Sequence, residues 1–274
     1  PLYTQAPIYN PEVHDIKDKA IIVSLEGGFG DEIIHARFAT SYKKQGAKAV
    51  YIAAAPELVS VFERIEGVDK VILRNQAHLV QHDYWVPGFS AGWVAGHTFD
   101  DFPSDPYLTP RHESVDLWKS MINSDKIKVG IRWAGNPKFE HQQFRIFPAE
   151  KLINLHKEND HVKFFSLQRD NDLRELPEPI TDLQHLLISW EDTAACIENL
   201  DLVITSCTSI AHLASAMGKP TWVIVPMLPY HVWAYGGDHS PWYEDSTRVF
   251  RQTVFGKWDN VFEQVNQELQ KLFP

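Results

Sequence analysis

Short apolar runs alternate with amphipathic segments along most of the chain. The run "AIIVSL" (20–25) ends at glycines and precedes "DEIIHARFATSYKKQG", where Ile33, Ile34 and Phe38 share one helical face. Comparable apolar runs cover 49–55, 70–74, 128–135, 162–168, 202–206 and 221–226, most of them followed by a helical segment. Alternating strands and helices are typical of parallel βαβ units. The pattern therefore predicts an α/β protein with parallel sheets.

The alternation is interrupted once, which suggests two domains. Residues 75–113 are rich in Pro, Gly and Asp and predict loops with one short strand at the edge of a sheet. After the helical "SVDLWKSMI" the pattern resumes, and the amphipathic "NVFEQVNQELQKLF" predicts a closing helix. We place a linker near 114–127 and predict two Rossmann-like domains, 1–125 and 126–274.

Composition excludes several classes of protein. The 274 residues carry a formal net charge of -10 with no basic block, which argues against nucleic-acid binding. No apolar stretch approaches the ~20 residues of a membrane span, so we expect no transmembrane segment. Two cysteines are too few for a disulfide framework. We expect a soluble, cytoplasmic protein with small or polar ligands.

The turn "GGFGDE" after the first strand is the first candidate for chemistry. Gly28 and Gly30 fit the start of a dinucleotide fingerprint, but Ile33 occupies the place of the third small residue. The second strand ends "AAAPE", without the ribose-binding acid at its tip, so an NAD site is not predicted. Asp31 has two interpretations: a first-turn partner of the helix dipole, or a general base aimed into a cleft.

The segment "LVITSCTSIAHLASAMGKPTWVIVP" reads as strand, polar turn, helix and strand. Thr208 and Ser209 stand at the helix N-terminus, where unpaired N–H groups and hydroxyls favour a diphosphate. Ser and Thr also cap helices routinely, and His212 fits equally well as a core histidine. The residues alone leave both interpretations open.

Four segments together resemble a known family: "GGFGDEIIHARF", "VGIRWAGNPKFEHQQFRIFPAEKL", "DLVITSCTSIAHLASAMGKPTWVIVP" and "HSPWYEDSTRVFRQ". They are similar to the glycosyltransferase domain of bacterial tetratricopeptide-repeat proteins, which is related to family 9 heptosyltransferases and distantly to O-GlcNAc transferase. The resemblance implies a GT-B fold, with two Rossmann-like domains facing each other across a cleft. It also implies that the C-terminal domain binds a nucleotide-diphosphate sugar as co-substrate, without a further cofactor.

The resemblance implies a metal-independent, inverting transfer of the sugar to an acceptor hydroxyl of a glycan, a lipid-linked sugar or a protein. Asp31 would be the general base, on a cleft turn that contains Gly28 and Gly30. In the family a basic residue of the "NPK...R.FP" segment contacts the diphosphate, and Arg145 matches it best. The full set of predicted diphosphate contacts is Arg132, Lys138, Arg145, Thr208, Ser209 and His212. We predict no metal site, since the histidines lack metal-binding spacing.

One position departs from the family pattern. The relatives usually have Asp-Thr where this chain has Cys207-Thr208, which puts the donor, and activity itself, in question. Two alternatives to a transferase follow: a sugar-nucleotide-binding module without turnover, and a sugar-nucleotide epimerase on the same fold. Gln168, Cys207 and Trp233 are further candidate donor contacts, whereas Trp242 and Tyr243 are expected to pack between domains.

Overall fold

The computed structural model describes residues 2–98, 101–136, 138, 142–169, 176, 177, 179–243 and 246–272, with only the backbone at 142 and 143. The chain divides into two compact units, Pro1–Pro110 and Arg111–Pro274. Each unit contains a parallel β-sheet. The predicted α/β class, with a Rossmann-like sheet in each half, is confirmed.

The first unit is built on four parallel strands in its described residues: β1 (Ala20–Ser24), β2 (Ala49–Ala54), β3 (Lys70–Leu73) and β4 (Tyr84–Pro87). Their order across the sheet is β3-β2-β1-β4. Ile21, Ile22 and Val23 are fully buried, as expected for a central strand covered on both faces. The apolar run that predicted β1 therefore marks the middle of the sheet.

The helices of the first unit are α1 (Phe29–Ala36), α2 (Ala39–Lys44), α3 (Val59–Phe62) and α4 (Gly88–Val94), with 3₁₀ turns at Pro56–Leu58 and Arg74–Leu79. The single helix predicted from Asp31 onward is therefore two helices. The break falls at Arg37 and Phe38, where the Phe38 N–H donates to His35 three residues back instead of four. For residues 75–113 we predicted loops and one short strand. The strand is β4, but the prediction missed α4.

The second unit has a larger sheet, formed by six of the described strands. They are β5 (Ile127–Arg132), β6 (Val162–Ser166), β7 (Ile180–Asp182), β8 (Leu202–Ser206), β9 (Thr221–Val225) and β10 (Thr247–Arg251). The order is β10-β9-β8-β5-β6-β7, all parallel. The apolar pattern missed β7 and β10, which are the two edge strands and are short or carry arginines.

The helices of the second unit are α5 (His112–Met121), α6 (Gln142–Arg145), α7 (Ala149–Asn154), α8 (Trp190–Glu198), α9 (Ser209–Ala216) and α10 (Asp259–Leu272). The closing amphipathic helix is confirmed as α10, which buries Val261, Val265 and Leu269. Helix α5 packs against α8 and so belongs to this unit. The division of the chain consequently falls before the predicted boundary between residues 125 and 126.

Candidate functional site

Each sheet has a point at which the chain changes its direction of travel across the sheet. In the first sheet this switch lies between β1 and β4, and in the second between β5 and β8. In open parallel sheets, ligands bind at the carboxyl ends of the strands beside such a point. The turn with Asp31 follows β1, while Arg132 and Thr208 lie at the ends of β5 and β8. The topology thus places residues of both predicted clusters at switch points.

In the first unit, Asp31 occupies the third position of α1, and Gly28 is the N-cap. The Gly28 N–H donates to Asp31 Oδ2 at 2.8 Å, so the carboxylate folds back over the turn. Gly27 has φ of 85°, and a Cβ there would lie 2.7 Å from the same oxygen. This is the capping geometry expected of a helix partner. It is compatible with a general base, and that role for Asp31 stays a prediction.

In the second unit, two buried polar side chains lie at the ends of β5 and β6. Arg132 is 5% exposed, and its Nη1 donates to the Leu167 carbonyl at 3.1 Å. Gln168 is 2% exposed, and its Oε1 accepts from the Ala134 N–H at 3.2 Å. These contacts tie the end of β5 to the chain after β6, so both predicted residues have structural contacts beside the strand that borders the switch point.

Arg145 joins the loop after β5 to the start of α9. It ends α6, and its guanidinium donates to the carbonyl of Cys207. Cys207 is buried and directly precedes Thr208, the N-cap of α9. Thr208 Oγ1 lies 3.5 Å from Thr205 Oγ1, and Thr208 makes no side-chain cap bond within the described structure, while Ser209 begins the helix half-buried. A cation is therefore held beside the N-terminus of α9.

Lys138 is exposed, and its backbone N–H donates to Asn136 Oδ1 at 2.9 Å. Pro137 and residues 139–141 beside it lie outside the described residues. The role predicted for Lys138 therefore stays a prediction.

His212 and Trp233 lie in a buried aromatic stack within the second unit. The rings of His212 and Trp233 are 5.0 Å apart at an angle of 20°, and His212 Nδ1 lies 3.2 Å from the Tyr243 hydroxyl. Trp233 is 1% exposed and also stacks on Tyr243. The histidine has the surroundings of a core residue. Trp242 and Tyr243 are likewise buried, and their packing between domains stays a prediction.

A cavity of about 480 Å³ lies beside Arg145, past the end of β9. Its lining is mainly apolar: Phe144, Arg145, Pro226, Met227, Leu228, Pro229, Tyr230, His231 and Phe255. The rings of Phe144 and Phe255 approach to 5.9 Å. The sequence analysis missed this cavity, because its residues come from three separate segments of the chain and share no motif.

The described residues contain no group of three or more His, Cys, Asp and Glu that could hold a metal ion. Among them, no helix is both long enough and apolar enough to cross a membrane.

Comparison of the sequence with known proteins gives a distant relative. No family model matches the chain. It is 24% identical over 290 residues to Protein FlbA of Caulobacter vibrioides, a match that covers 93% of this chain and 47% of that protein. The chain thus spans about half the length of the curated relative it matches.

Comparison of the fold gives several solved glycosyltransferases. ADP-heptose LPS heptosyltransferase II of E. coli aligns with a TM-score of 0.67 and 12% identity over 92% of this chain and 98% of that one. A family 9 glycosyl transferase of Veillonella parvula gives 0.68 and 13%, over 94% and 91% of the two chains. Iron-containing dodecameric glycosyltransferase TibC of enterotoxigenic E. coli gives 0.61 and 13%, over 94% and 77%. This chain therefore has the GT-B fold of the heptosyltransferases.

Proposed function

We propose that the protein is a glycosyltransferase that moves a sugar from a nucleotide-diphosphate donor to an acceptor hydroxyl. One observation carries the proposal: Arg145 is held on the Cys207 carbonyl, next to the N-terminus of α9 and at the switch point between β5 and β8. The likeness to solved glycosyltransferases supports the same class of reaction.

The second unit would bind the diphosphate. As the glycosidic bond breaks, negative charge grows on the leaving diphosphate, and preorganised donors there stabilise the transition state. Helix α9 supplies N–H groups and the positive end of its dipole, with hydroxyls from Thr208 and Ser209. Arg145 would supply a positive charge, with Arg132 and Lys138 as further cations. The cavity beside Arg145 has room for an apolar or ring-shaped part of a substrate.

The first unit would deprotonate the acceptor. Asp31 would take the proton from an acceptor hydroxyl. The hydroxyl oxygen would at the same time attack the anomeric carbon from the side opposite the diphosphate. The electrons of the breaking C–O bond leave with the diphosphate, so the anomeric configuration inverts. We propose a metal-independent reaction, because arginines and a helix dipole can balance the leaving-group charge. The iron-containing TibC makes a test with a chelator essential.

The remaining assignments follow from the resemblance to the tetratricopeptide-repeat-associated glycosyltransferases. We propose a glycan, a lipid-linked sugar or a protein hydroxyl as the acceptor, and the cytoplasm as the compartment. No cofactor beyond the nucleotide sugar is invoked. Gln168 and Cys207 lie in the second unit, and their contact with a donor is part of this proposal.

The test is release of the nucleotide from a panel of UDP, GDP and ADP sugars, measured by chromatography with excess EDTA. We expect release by the wild-type chain and a large loss in Arg145→Ala. Lys151→Ala is a matched control, because Lys151 is a partly exposed cation of the same unit that pairs with Asp259. Release that disappears with EDTA and returns with a divalent ion would contradict metal independence.

A binding module without turnover is the second candidate, and Cys207 favours it. This residue stands where the related proteins usually have an aspartate, and its carbonyl already accepts from Arg145. Such a module would bind the nucleotide sugar yet release no nucleotide with any acceptor. An epimerase on the same fold is less well supported, since it needs acid and base groups on both faces of the sugar and Asp31 is the one candidate identified.

A further inference from the structure

A buried carboxylate joins the first turn of α1 to the ends of the central strands. Glu32 is 1% exposed, and its Oε2 accepts from the Ala55 N–H at 2.9 Å. Its Oε1 accepts from Arg74 Nη2, while Arg74 Nε donates to the Leu25 carbonyl at 2.6 Å. A buried charge is costly unless it is paired and hydrogen-bonded, and these contacts meet both conditions.

The four residues have a common place in the topology. Leu25 directly follows β1, Ala55 follows β2 and Arg74 follows β3. The pair Glu32–Arg74 thus connects three strand ends to α1 along the carboxyl edge of the sheet. Desolvation lowers the pKa of Arg74, in agreement with its partly buried position.

The segment that this pair brackets is the turn from Leu25 to Asp31. It contains three glycines, of which Gly27 has a φ of 85°. Glycine has more backbone freedom than other residues, so this turn has little rigidity of its own. Arg74 holds the carbonyl at the start of the turn, and Glu32 anchors the residue after its end. The Glu32 N–H also donates to the Gly28 carbonyl at 3.0 Å.

We propose that Glu32 and Arg74 are positioning residues that fix this turn and thereby aim the Asp31 carboxylate. The inference rests on the proposed function for its consequence in catalysis, but the fixing of the turn can be tested alone. Neither residue needs to touch a substrate. Their action passes through the backbone at Leu25 and Glu32.

The same unit offers a matched control at the opposite edge of the sheet. The carboxylate of Asp69 accepts from the Val50 N–H and from Lys43 Nζ, each at 2.8 Å. Like Glu32, it therefore has two kinds of partner: a cationic side chain and a backbone N–H. That N–H lies within β2 for Asp69 and directly after β2 for Glu32. Asp69 lies at the edge of the sheet where β2 and β3 begin, whereas the glycine turn lies at the edge where the strands end.

The experiment is amide hydrogen exchange, followed by NMR on the full chain, for the variants Glu32→Gln, Arg74→Lys and Asp69→Asn. The key signal is the Gly28 N–H, which donates to Asp31 Oδ2. We expect Glu32→Gln and Arg74→Lys to raise exchange at Gly28 by about tenfold relative to the strand amides of β1 and β2, as a local opening does. Asp69→Asn should leave that ratio unchanged.

Two outcomes would overturn the positioning role. One is an unchanged ratio in both Glu32→Gln and Arg74→Lys, and the other is an equal rise in Asp69→Asn. Arg74→Lys keeps the charge and serves where Glu32→Gln fails to fold. Hydrolysis of a nucleotide sugar by water is then measured in the same variants. An opened turn with unchanged hydrolysis supports the positioning of the turn and contradicts the proposed role of Asp31.

Discussion

Asp31 has a structural contact and a proposed chemical role at the same oxygen. Its Oδ2 accepts from the Gly28 N–H, which satisfies one of the unpaired donors at the start of α1. A carboxylate in this position also interacts favourably with the helix dipole. The contact alone therefore does not distinguish a capping residue from a general base. The two roles are distinguished by a substitution that removes the basicity of the side chain and keeps its shape.

Asp31→Asn makes that change. The amide oxygen can still accept from Gly28, but it cannot take a proton from a hydroxyl. We expect kcat to fall by about 10² to 10⁴, with donor affinity nearly unchanged. If Asp31 is only a dipole partner, the cost is about 0.3 to 1 kcal/mol in the free energy of unfolding, with normal turnover. Steady-state kinetics with excess chelator, and denaturant unfolding of the same samples, distinguish the two results.

Arg145 lies next to the helix start that is predicted to bind the diphosphate. Its contact with the Cys207 carbonyl brings it to the start of α9. Arg145→Ala should weaken binding of a nucleoside diphosphate by roughly 1.5 to 3 kcal/mol, the range for a hydrogen bond to a charged group. Calorimetry measures this directly, with Lys151→Ala as control. Equal affinity in Arg145→Ala and wild type would remove Arg145 from the site.

At the residue scale, the sequence predicted candidate chemical groups but not the contacts that they make. Asp31 and Thr208 were marked because each closely follows an apolar run that became a strand, whereas Arg145 was marked by the resemblance to a known family. The sequence patterns did not mark the buried pair Glu32–Arg74, since a charged residue in an amphipathic segment ordinarily indicates a solvated face. Nor did they show that His212 would be buried against Trp233.

At the scale of elements, α9 is supported both at its N-terminus and along its buried face. His212, on that buried face, contacts the rings of Trp233 and Tyr243, and Arg145 contacts the residue before the N-cap. Arg251 Nη2 donates to the carbonyls of Trp233 and Tyr235, each at 2.8 Å, which fixes the loop that carries the stack. The helix is consequently supported independently of any ligand.

Trp233→Ala tests whether this stack is structural. Removing a fully buried tryptophan costs about 3 to 5 kcal/mol in stability. We expect a lower melting temperature with the affinity for nucleoside diphosphate retained at a temperature where the variant is folded. A loss of affinity without a loss of stability would instead place Trp233 in contact with the donor. Scanning calorimetry and ligand titration of the same protein give both readings.

Elements were predictable where burial is continuous and less so elsewhere. The runs that became β1, β8 and β9 are apolar because both faces of a central strand are covered. The edge strands β7 and β10 lack this signal, and β7 has three residues. Helix α4 was missed because its sequence, "GFSAGWV", contains two glycines, and glycine disfavours helices on propensity alone.

At the scale of the whole molecule, two parallel sheets carry their candidate chemistry at corresponding places. Each has its predicted residues at the carboxyl ends of strands beside a switch point, with Asp31 in one unit and Arg145 with α9 in the other. The alternation of strands and helices predicted both sheets. The strand order was not predictable from it, because the order depends on crossovers that leave no local pattern.

The central claim is that the second unit binds a nucleoside diphosphate at Arg145 and α9. A thermal-shift titration of the wild-type chain and Arg145→Ala with UDP, GDP, ADP and CMP tests it most directly. Binding to the folded state adds RT ln(1 + [L]/Kd) to stability, about 2.7 kcal/mol at a hundredfold excess over Kd. We predict that at least one diphosphate raises the melting temperature of the wild type and raises that of Arg145→Ala far less. An equal shift in both proteins, or no shift with any of the four nucleotides, would contradict the claim.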